Sequence, residues 1–189
     1  MQYRHIILDR DGVLNHEAAE LPCVRTAAQF HWLPGALEGL AILRCAGVYV
    51  SVATNQSAVG RGLMTLEQLQ AVHEYMRAAA AREGGALDAV LVCHHTPEAQ
   101  CNCRKPAAGL IQAAMTLAGI AATATLVVGD DRRDLEAASR AGVAAALVRT
   151  GKGRQTEELL RGCGVAAYDD LKQLARAIVA GSRIQHVHT

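Results

Sequence analysis

The chain reads as an α/β domain built on a doubly wound, Rossmann-like parallel sheet. Two observations carry that expectation. Apolar runs of strand length alternate with amphipathic stretches of helix length from end to end, and no tract longer than a loop interrupts the rhythm. The chain has 189 residues, 51% of them hydrophobic, enough to bury one full core. One domain over residues 1–180 is expected, with 181–189 as a patternless, mobile tail.

Taken in order, the expected strands are His5–Asp9, Val48–Ala53, Ala89–Cys93, Ala124–Gly129, Val143–Val148 and Val165–Tyr168. A helix is expected to start near Pro34. The clearest helix is Thr65–Arg82, where Thr65 and Gln68 form a capping-box signature and Leu66, Leu69, Val72 and Met76 recur at helical spacing. Pro106 suits the first position of another helix, with Leu110, Ile111, Ala114 and Leu117 on one face. Ligands of such sheets bind at the carboxyl ends of the strands.

Composition removes several function classes. A net charge of +1 gives no strong pull toward nucleic acid or anionic membrane, and 3% aromatics supply no base-stacking surface. No apolar stretch approaches the roughly 20 residues needed to span a bilayer. The first residues run straight into strand 1 without a signal peptide, so a cytoplasmic protein is expected; it is also expected to be a monomer. The six cysteines cluster in part, which suits metal binding in a reducing compartment better than disulfides.

Four expected strand ends carry chemistry. Asp9 and Asp11 follow the apolar run Ile6–Leu8, and Gly12 lets the backbone turn so that both carboxylates crowd one mouth. Such a pair calls for a cation or a shared proton between them. Thr54, Asn55, Gln56 and Ser57 close the second run with hydroxyl, amide and N–H groups that suit a phosphate, although a helix cap would use them equally well. Arg104 and Lys105 precede Pro106 and could pair with phosphate oxygens. Asp130 and Asp131 end the run Ala124–Gly129, where Asp130 should converge on Asp9 and select a hard ion such as Mg²⁺; Asp134 follows. The rim is thus expected to gather the side chains at 9, 11 and 130 around one divalent ion.

These pieces, DRDGVLN at 9–15, the Thr54 segment, Lys105 and GDDRRD at 129–134, resemble the haloacid dehalogenase (HAD) superfamily of phosphohydrolases, in that family's order and over about residues 5–150. The resemblance implies that Asp9 is the nucleophile and forms an aspartyl-phosphate. It implies that Asp11 protonates the leaving alkoxide and then activates water, with Thr54 and Lys105 stabilising the phosphoryl group. Mg²⁺ would be held by Asp9, the main-chain carbonyl of Asp11 and Asp130, while Asp134 supports the loop.

Cys93, His95, Cys101 and Cys103 follow a C-x-H-x5-C-x-C spacing that suits a closed, structural Zn²⁺ set over 93–103, with His94 as the alternative imidazole. Loops of this sort resemble a HAD branch with two activities, heptose 1,7-bisphosphate 7-phosphatase and histidinol-phosphate phosphatase. The runs TNQSAVGRG at 54–62 and RTGKG at 149–153 look like the first, whereas the five-residue gap between His95 and Cys101 is closer to the second. Residues 16–23 match neither. With no large cap domain the site should be open, and Arg61 and Arg104 are expected to help hold a sugar phosphate bearing a second charge. A zinc-stabilised binding module without turnover is the reading from another class, disfavoured by the intact aspartates and Lys105.

Overall fold

The structure is a computed structural model that describes residues 2–17, 23–182 and 184. Six parallel strands form one sheet: β1 (His5–Leu8), β2 (Tyr49–Asn55), β3 (Ala89–Cys93), β4 (Thr125–Gly129), β5 (Ala144–Val148) and β6 (Ala166–Tyr168). Their order is β3-β2-β1-β4-β5-β6, so the winding reverses between β1 and β4. Helices fill the connections: α1 (Ala36–Cys45), α2 (Ser57–Gly60), α3 (Leu66–Arg82), α4 (Gly109–Ala118), α5 (Arg132–Arg140), α6 (Gly153–Leu159) and α7 (Leu171–Val179).

Period-two alternation divides the strand side chains between two cores, as a sheet covered on both faces requires. Ile6, Leu8, Val50, Val52, Leu126 and Val128 pack on one face with Leu40, Leu43, Val72, Met76 and Leu174, from α1, α3 and α7. Ile7, Ala53, Val127, Ala145 and Leu147 pack on the other with Leu110, Ile111, Leu135 and Ala138, from α4 and α5. All the strands run one way, so their carboxyl ends share one rim. Leu8 lies in register with both Val52 and Val128, and the residues that follow emerge there side by side.

The capping box that opens α3 is present, with Gln68 N–H donating to Thr65 Oγ1 at 3.2 Å and Thr65 N–H to Gln68 Oε1 at 2.9 Å. Three local expectations need correction. Leu66, at the first position of α3, is exposed rather than buried with Leu69, Val72 and Met76. Leu117 is 64% exposed although its spacing puts it on the buried face of α4; a period assigns a face but not how far the neighbouring layer extends. Pro106 does not open α4, which starts at Gly109. Gly109 N–H donates to the carbonyl of Asn102 at 3.1 Å, and a Cβ there would lie 2.5 Å from that oxygen. The preceding loop therefore fixes where the helix begins.

Of the expected tail, 183 and 185–189 lie outside the described residues. Ile184 is buried, and its carbonyl accepts from the Tyr3 hydroxyl at 2.7 Å. Residues 18–22 of the unmatched 16–23 segment also lie outside the described set.

Candidate active site

The cleft opens where the winding reverses, the position at which open α/β sheets bind ligands. Asp9 leaves β1 with its N–H donating to the carbonyl of Val128 at 2.9 Å, so it stands directly beside the end of β4. Asp130 follows β4, and Asp134 lies in the first turn of α5. One carboxylate oxygen from each of Asp9, Asp130 and Asp134 lies within 4.8 Å of the others.

Asp130 is clamped from several directions. Gly12 has φ +85°, and a Cβ there would sit 1.9 Å from Asp130 Oδ2; at Gly151, φ +55°, the gap would be 2.2 Å. Only glycine allows both backbones this close. Lys152 N–H donates to Asp130 Oδ2 at 2.8 Å and the Thr156 hydroxyl to the Asp130 carbonyl at 2.7 Å. The RTGKG run therefore acts through its backbone, as a collar around one carboxylate. Lys152 Nζ also pairs with Glu17 Oε1 at 2.7 Å, across the cleft mouth.

Lys105 supplies the buried cation. Its side chain is 3% exposed, and Nζ lies 3.0 Å from Asp9 Oδ1 and 2.6 Å from Asp134 Oδ1. Burial works against its charge, but Asp134 and Asp9 raise its pKa overall. Asn55 fixes the backbone that carries it: Asn55 Nδ2 donates to the Lys105 carbonyl at 3.0 Å, and Lys105 N–H donates to Asn55 Oδ1 at 3.1 Å.

Asp11 is set apart from this cluster. Its carboxylate accepts from Arg10 Nη2 at 3.0 Å, Asn15 Nδ2 at 2.9 Å and Gln56 Nε2 at 2.7 Å. The expected gathering of side chains 9, 11 and 130 is thus corrected. Asp134 takes the third place beside Asp9 and Asp130, because Arg10, Asn15 and Gln56 draw the Asp11 carboxylate away. Gln56 Nε2 also donates to Thr54 Oγ1 at 2.9 Å, which leaves the hydroxyl proton of Thr54 free to face the cleft.

The cysteine loop lies alongside. Cys93, at the end of β3, and Cys101, Cys103 and His95 bring three sulfurs and His95 Nδ1 together, with the five recorded separations between 3.3 and 3.6 Å. A tetrahedral ion with metal–sulfur bonds of about 2.3 Å asks for edges of about 3.5–3.8 Å, close to those seen. Burial and then the Cys103 thiol push Cys93 up to about 12, so three thiolates could not coexist there without a cation. Of the two imidazoles, that of His95 places a ring nitrogen among the sulfurs, whereas His94 is exposed. The start of the loop is tied to the segment after β2: Gln56 N–H donates to the Cys93 carbonyl at 2.7 Å, and Gly60 N–H to the His94 carbonyl at 3.1 Å.

Residues 102–174 match a family model described as HAD-hydrolase-like. The chain is 38% identical over 174 residues to the D-glycero-β-D-manno-heptose-1,7-bisphosphate 7-phosphatase of Pseudomonas putida, covering 92% of this chain and 98% of that protein. The chain belongs to the heptose-bisphosphate phosphatase family. A Mycobacterium tuberculosis relative named for the α anomer is 35% identical, over 92% of this chain and 90% of its own. Among solved structures, the Bordetella bronchiseptica D,D-heptose 1,7-bisphosphate phosphatase complexed with magnesium and phosphate superposes with a TM-score of 0.87 at 38% identity, covering 95% of this chain and 99% of that one. As a member of this phosphatase family of HAD-like hydrolases, the chain is an enzyme with the HAD fold that its motifs resemble.

In this family member the sequence-derived site residues separate into groups. Asp9, Asp11, Thr54, Asn55, Arg104, Lys105, Asp130 and Asp131 line the cleft, joined by Glu17, Arg133 and Asp134. Gln56, Ser57 and Arg61 fall outside that lining. The Gln56 amide is committed to Asp11 and Thr54, Ser57 opens the short α2, and Arg61 is exposed beyond its end. Gln56 therefore orients groups that face the cleft instead of facing it. Asp131 lines the cleft but also accepts from Arg133 N–H at 3.0 Å and pairs with its guanidinium. Arg104 is tethered by Nη1 to the His95 carbonyl at 3.3 Å, so it moves with the cysteine loop. Sequence reasoning passed over Arg10 and His73, which meet beneath Asp11 at 3.1 Å. An arginine between two motif aspartates was the available signal.

Burial is the largest factor that pushes Asp9 up to about 8 and Asp130 up to about 7. A divalent cation bound there must displace protons, so its apparent affinity is expected to rise as pH increases from about 6 to about 8.5, on the order of tenfold or more. Titration calorimetry in buffers of different ionisation enthalpy would register the released protons. The sign for stability is opposite in the metal-free protein. Raised carboxyls contribute stability that is full below their unfolded values and lost as pH climbs through about 7–8, and saturating Mg²⁺ should offset the loss.

Proposed function

We propose that the protein removes the 7-phosphate of D-glycero-D-manno-heptose 1,7-bisphosphate, a step of lipopolysaccharide heptose synthesis, through an aspartyl-phosphate on Asp9. The observation that carries this is Asp9 at the convergence of two strands, with Lys105 Nζ 3.0 Å from its Oδ1 and Asp130 alongside. The substrate is supported by the heptose-bisphosphate relative matched over 98% of its length.

Asp9 attacks phosphorus as the ester P–O bond breaks, and the departing oxygen takes the proton carried by Asp11. A water then yields a proton to Asp11 and adds to phosphorus, which frees Asp9 and releases phosphate. In the free protein Asp11 is held as a carboxylate: burial opposes this, but the Arg10 charge and bonds from Asn15 and Gln56 outweigh it. An anionic phosphoryl group arriving beside it raises its proton affinity. Lys105 and the Thr54 hydroxyl hold the equatorial oxygens, and Arg104 meets the rest of the substrate at the rim. Asp9, Asp130 and the main-chain carbonyl of Asp11 would hold Mg²⁺, which would supply positive charge to offset the charge on the phosphoryl oxygens.

Zn²⁺ would occupy Cys93, His95, Cys101 and Cys103 as a closed structural set, with no position left for substrate. Cys101→Ser is expected to lose the zinc, loosen the loop and raise KM about tenfold through Arg104 and Lys105, with a smaller change in kcat. Metal analysis and steady-state kinetics check it; stoichiometric zinc with wild-type kinetics would contradict the assignment. The enzyme is read as a cytoplasmic monomer without nucleic-acid or membrane partners. The balanced charge gives no pull toward nucleic acid or anionic membrane, and the clustered thiols suit a reducing compartment; none of the described helices is long and apolar enough to cross a membrane.

The deciding experiment is kcat/KM on heptose 1,7-bisphosphate and on histidinol phosphate, each with Mg²⁺ and with EDTA. The bisphosphate should be preferred, and chelation should stop phosphate release. A preference for histidinol phosphate would replace the substrate assignment, and turnover indifferent to Mg²⁺ would remove the mechanism.

A further inference from the structure

We propose that Arg10 and His73 are positioning residues that aim the Asp11 carboxyl group at the ester oxygen that departs and keep it out of the Asp9–Asp130 cluster. This rests on the role given to Asp11 above. Arg10 follows Asp9 directly, and its side chain turns into the core to meet His73 on α3. There the guanidinium is 0% exposed. Nη2 reaches both Asp11 oxygens at 3.0 Å, and Nη1 meets His73 Nε2 at 3.1 Å. Guanidinium only donates, so His73 Nε2 is the acceptor and the imidazole is the neutral Nδ1–H tautomer. Burial and then the Arg10 charge hold His73 down at about 4, consistent with that tautomer.

His73 stands on α3 in the row of Leu69, Val72 and Met76, with its backbone fixed by helix packing. It therefore fixes one end of the guanidinium, and the other end fixes Asp11. Among the described residues the Arg10 guanidinium has no other partner, and its Nε is buried without one. Such an arrangement is poor economy for folding. A buried ion pair adds little net stability, and an apolar side chain of similar volume would fill the space without an orphaned N–H. What the arginine supplies, and an apolar residue could not, is direction. Both Asp11 oxygens are engaged from the core and loop side, by Arg10 with Asn15 on Oδ1 and Gln56 on Oδ2. Asp11 itself lines the cleft, so these bonds hold its carboxyl group in one orientation at the cleft wall.

Two substrates separate aim from fold. The heptose 7-phosphate ester departs as an alkoxide and needs a proton, whereas p-nitrophenyl phosphate departs as a stable phenolate. Because kcat/KM reports the steps through the first P–O cleavage, loss of aim should fall on the alkyl ester. His73→Leu is expected to lower kcat/KM about tenfold or more for the heptose bisphosphate, and less than about threefold for the aryl ester. His73→Gln restores an acceptor for Arg10 and should recover most of the alkyl rate. Arg10→Met should show the same split, at about a hundredfold, and its melting temperature would reveal any variant that fails to fold. Asp11→Asn sets the benchmark with the widest split. Equal losses on both esters in His73→Leu, or no loss on either, while Asp11→Asn keeps the split, would overturn the positioning role alone. Equal losses on both esters in Asp11→Asn would overturn that role together with the assignment of Asp11.

Discussion

Replacing Asp9 with asparagine is expected to lower kcat on the order of 10⁴-fold or more while leaving the fold intact. The amide nitrogen is a poor nucleophile, and the charge that attracts Mg²⁺ goes with it. The exchange is nearly isosteric, and Lys105 keeps Asp134 at 2.6 Å as an ionic partner. The resting site also loses a burial cost, since the Asp9 carboxyl is pushed up to about 8 by its surroundings. The metal-free variant should therefore melt no earlier than the wild type at about pH 8, although Mg²⁺ should stabilise it much less. Single-turnover kinetics, denaturation with and without Mg²⁺, and acid-quench trapping of phosphorylated protein would test each part. Near-normal kcat, or a trapped phosphoryl group in the variant, would place the nucleophile elsewhere.

The pieces that answer to strand ends were legible in the sequence because topology alone carries them there. Asp9, Thr54, Lys105 and Asp130 each follow or adjoin an apolar run, and a parallel sheet delivers such residues to one rim. The six strands were legible for the same reason, with ends displaced by one or two residues. What stayed hidden depends on partners far along the chain. Gln56 read as a phosphate donor until Asp11, 45 positions earlier, took its amide. Asn55 read likewise until it was found stapled to the Lys105 backbone, 50 positions away. Asp11 does share the cleft mouth with Asp9, but the buried Arg10 that turns its carboxylate out of the Asp9–Asp130–Asp134 cluster depends on His73, 63 positions off. Period and spacing describe a face, and none of these pairings is a property of a face.

The same distinction explains why Lys105→Met is expected to be the most damaging change outside the nucleophile. Lys105 is the only lysine or arginine among the described residues paired with Asp9, and it also holds Asp134, the residue that caps α5 beside Asp130. Two consequences follow from removing the charge. The phosphoryl oxygens lose a desolvated donor, a loss on the order of 10²–10³ in kcat. Asp9 loses the attraction that opposes its burial, so its pKa rises above the wild-type value of about 8, and the acid limb of the pH–rate profile should move to higher pH. Stability should respond less than kcat: deleting one partner of a buried ion pair costs about 3–5 kcal/mol when the remaining charge is trapped, but Asp9 can take up a proton instead. Melting curves should therefore show the smaller penalty at about pH 6 and the larger one at about pH 9. The zinc proposed for the nearby cysteine loop should be retained, because Asn55 bonds the main chain of residue 105 and not its side chain. A variant with wild-type kcat and an unmoved acid limb would remove Lys105 from the phosphoryl site, leaving it as a structural counter-ion to Asp134.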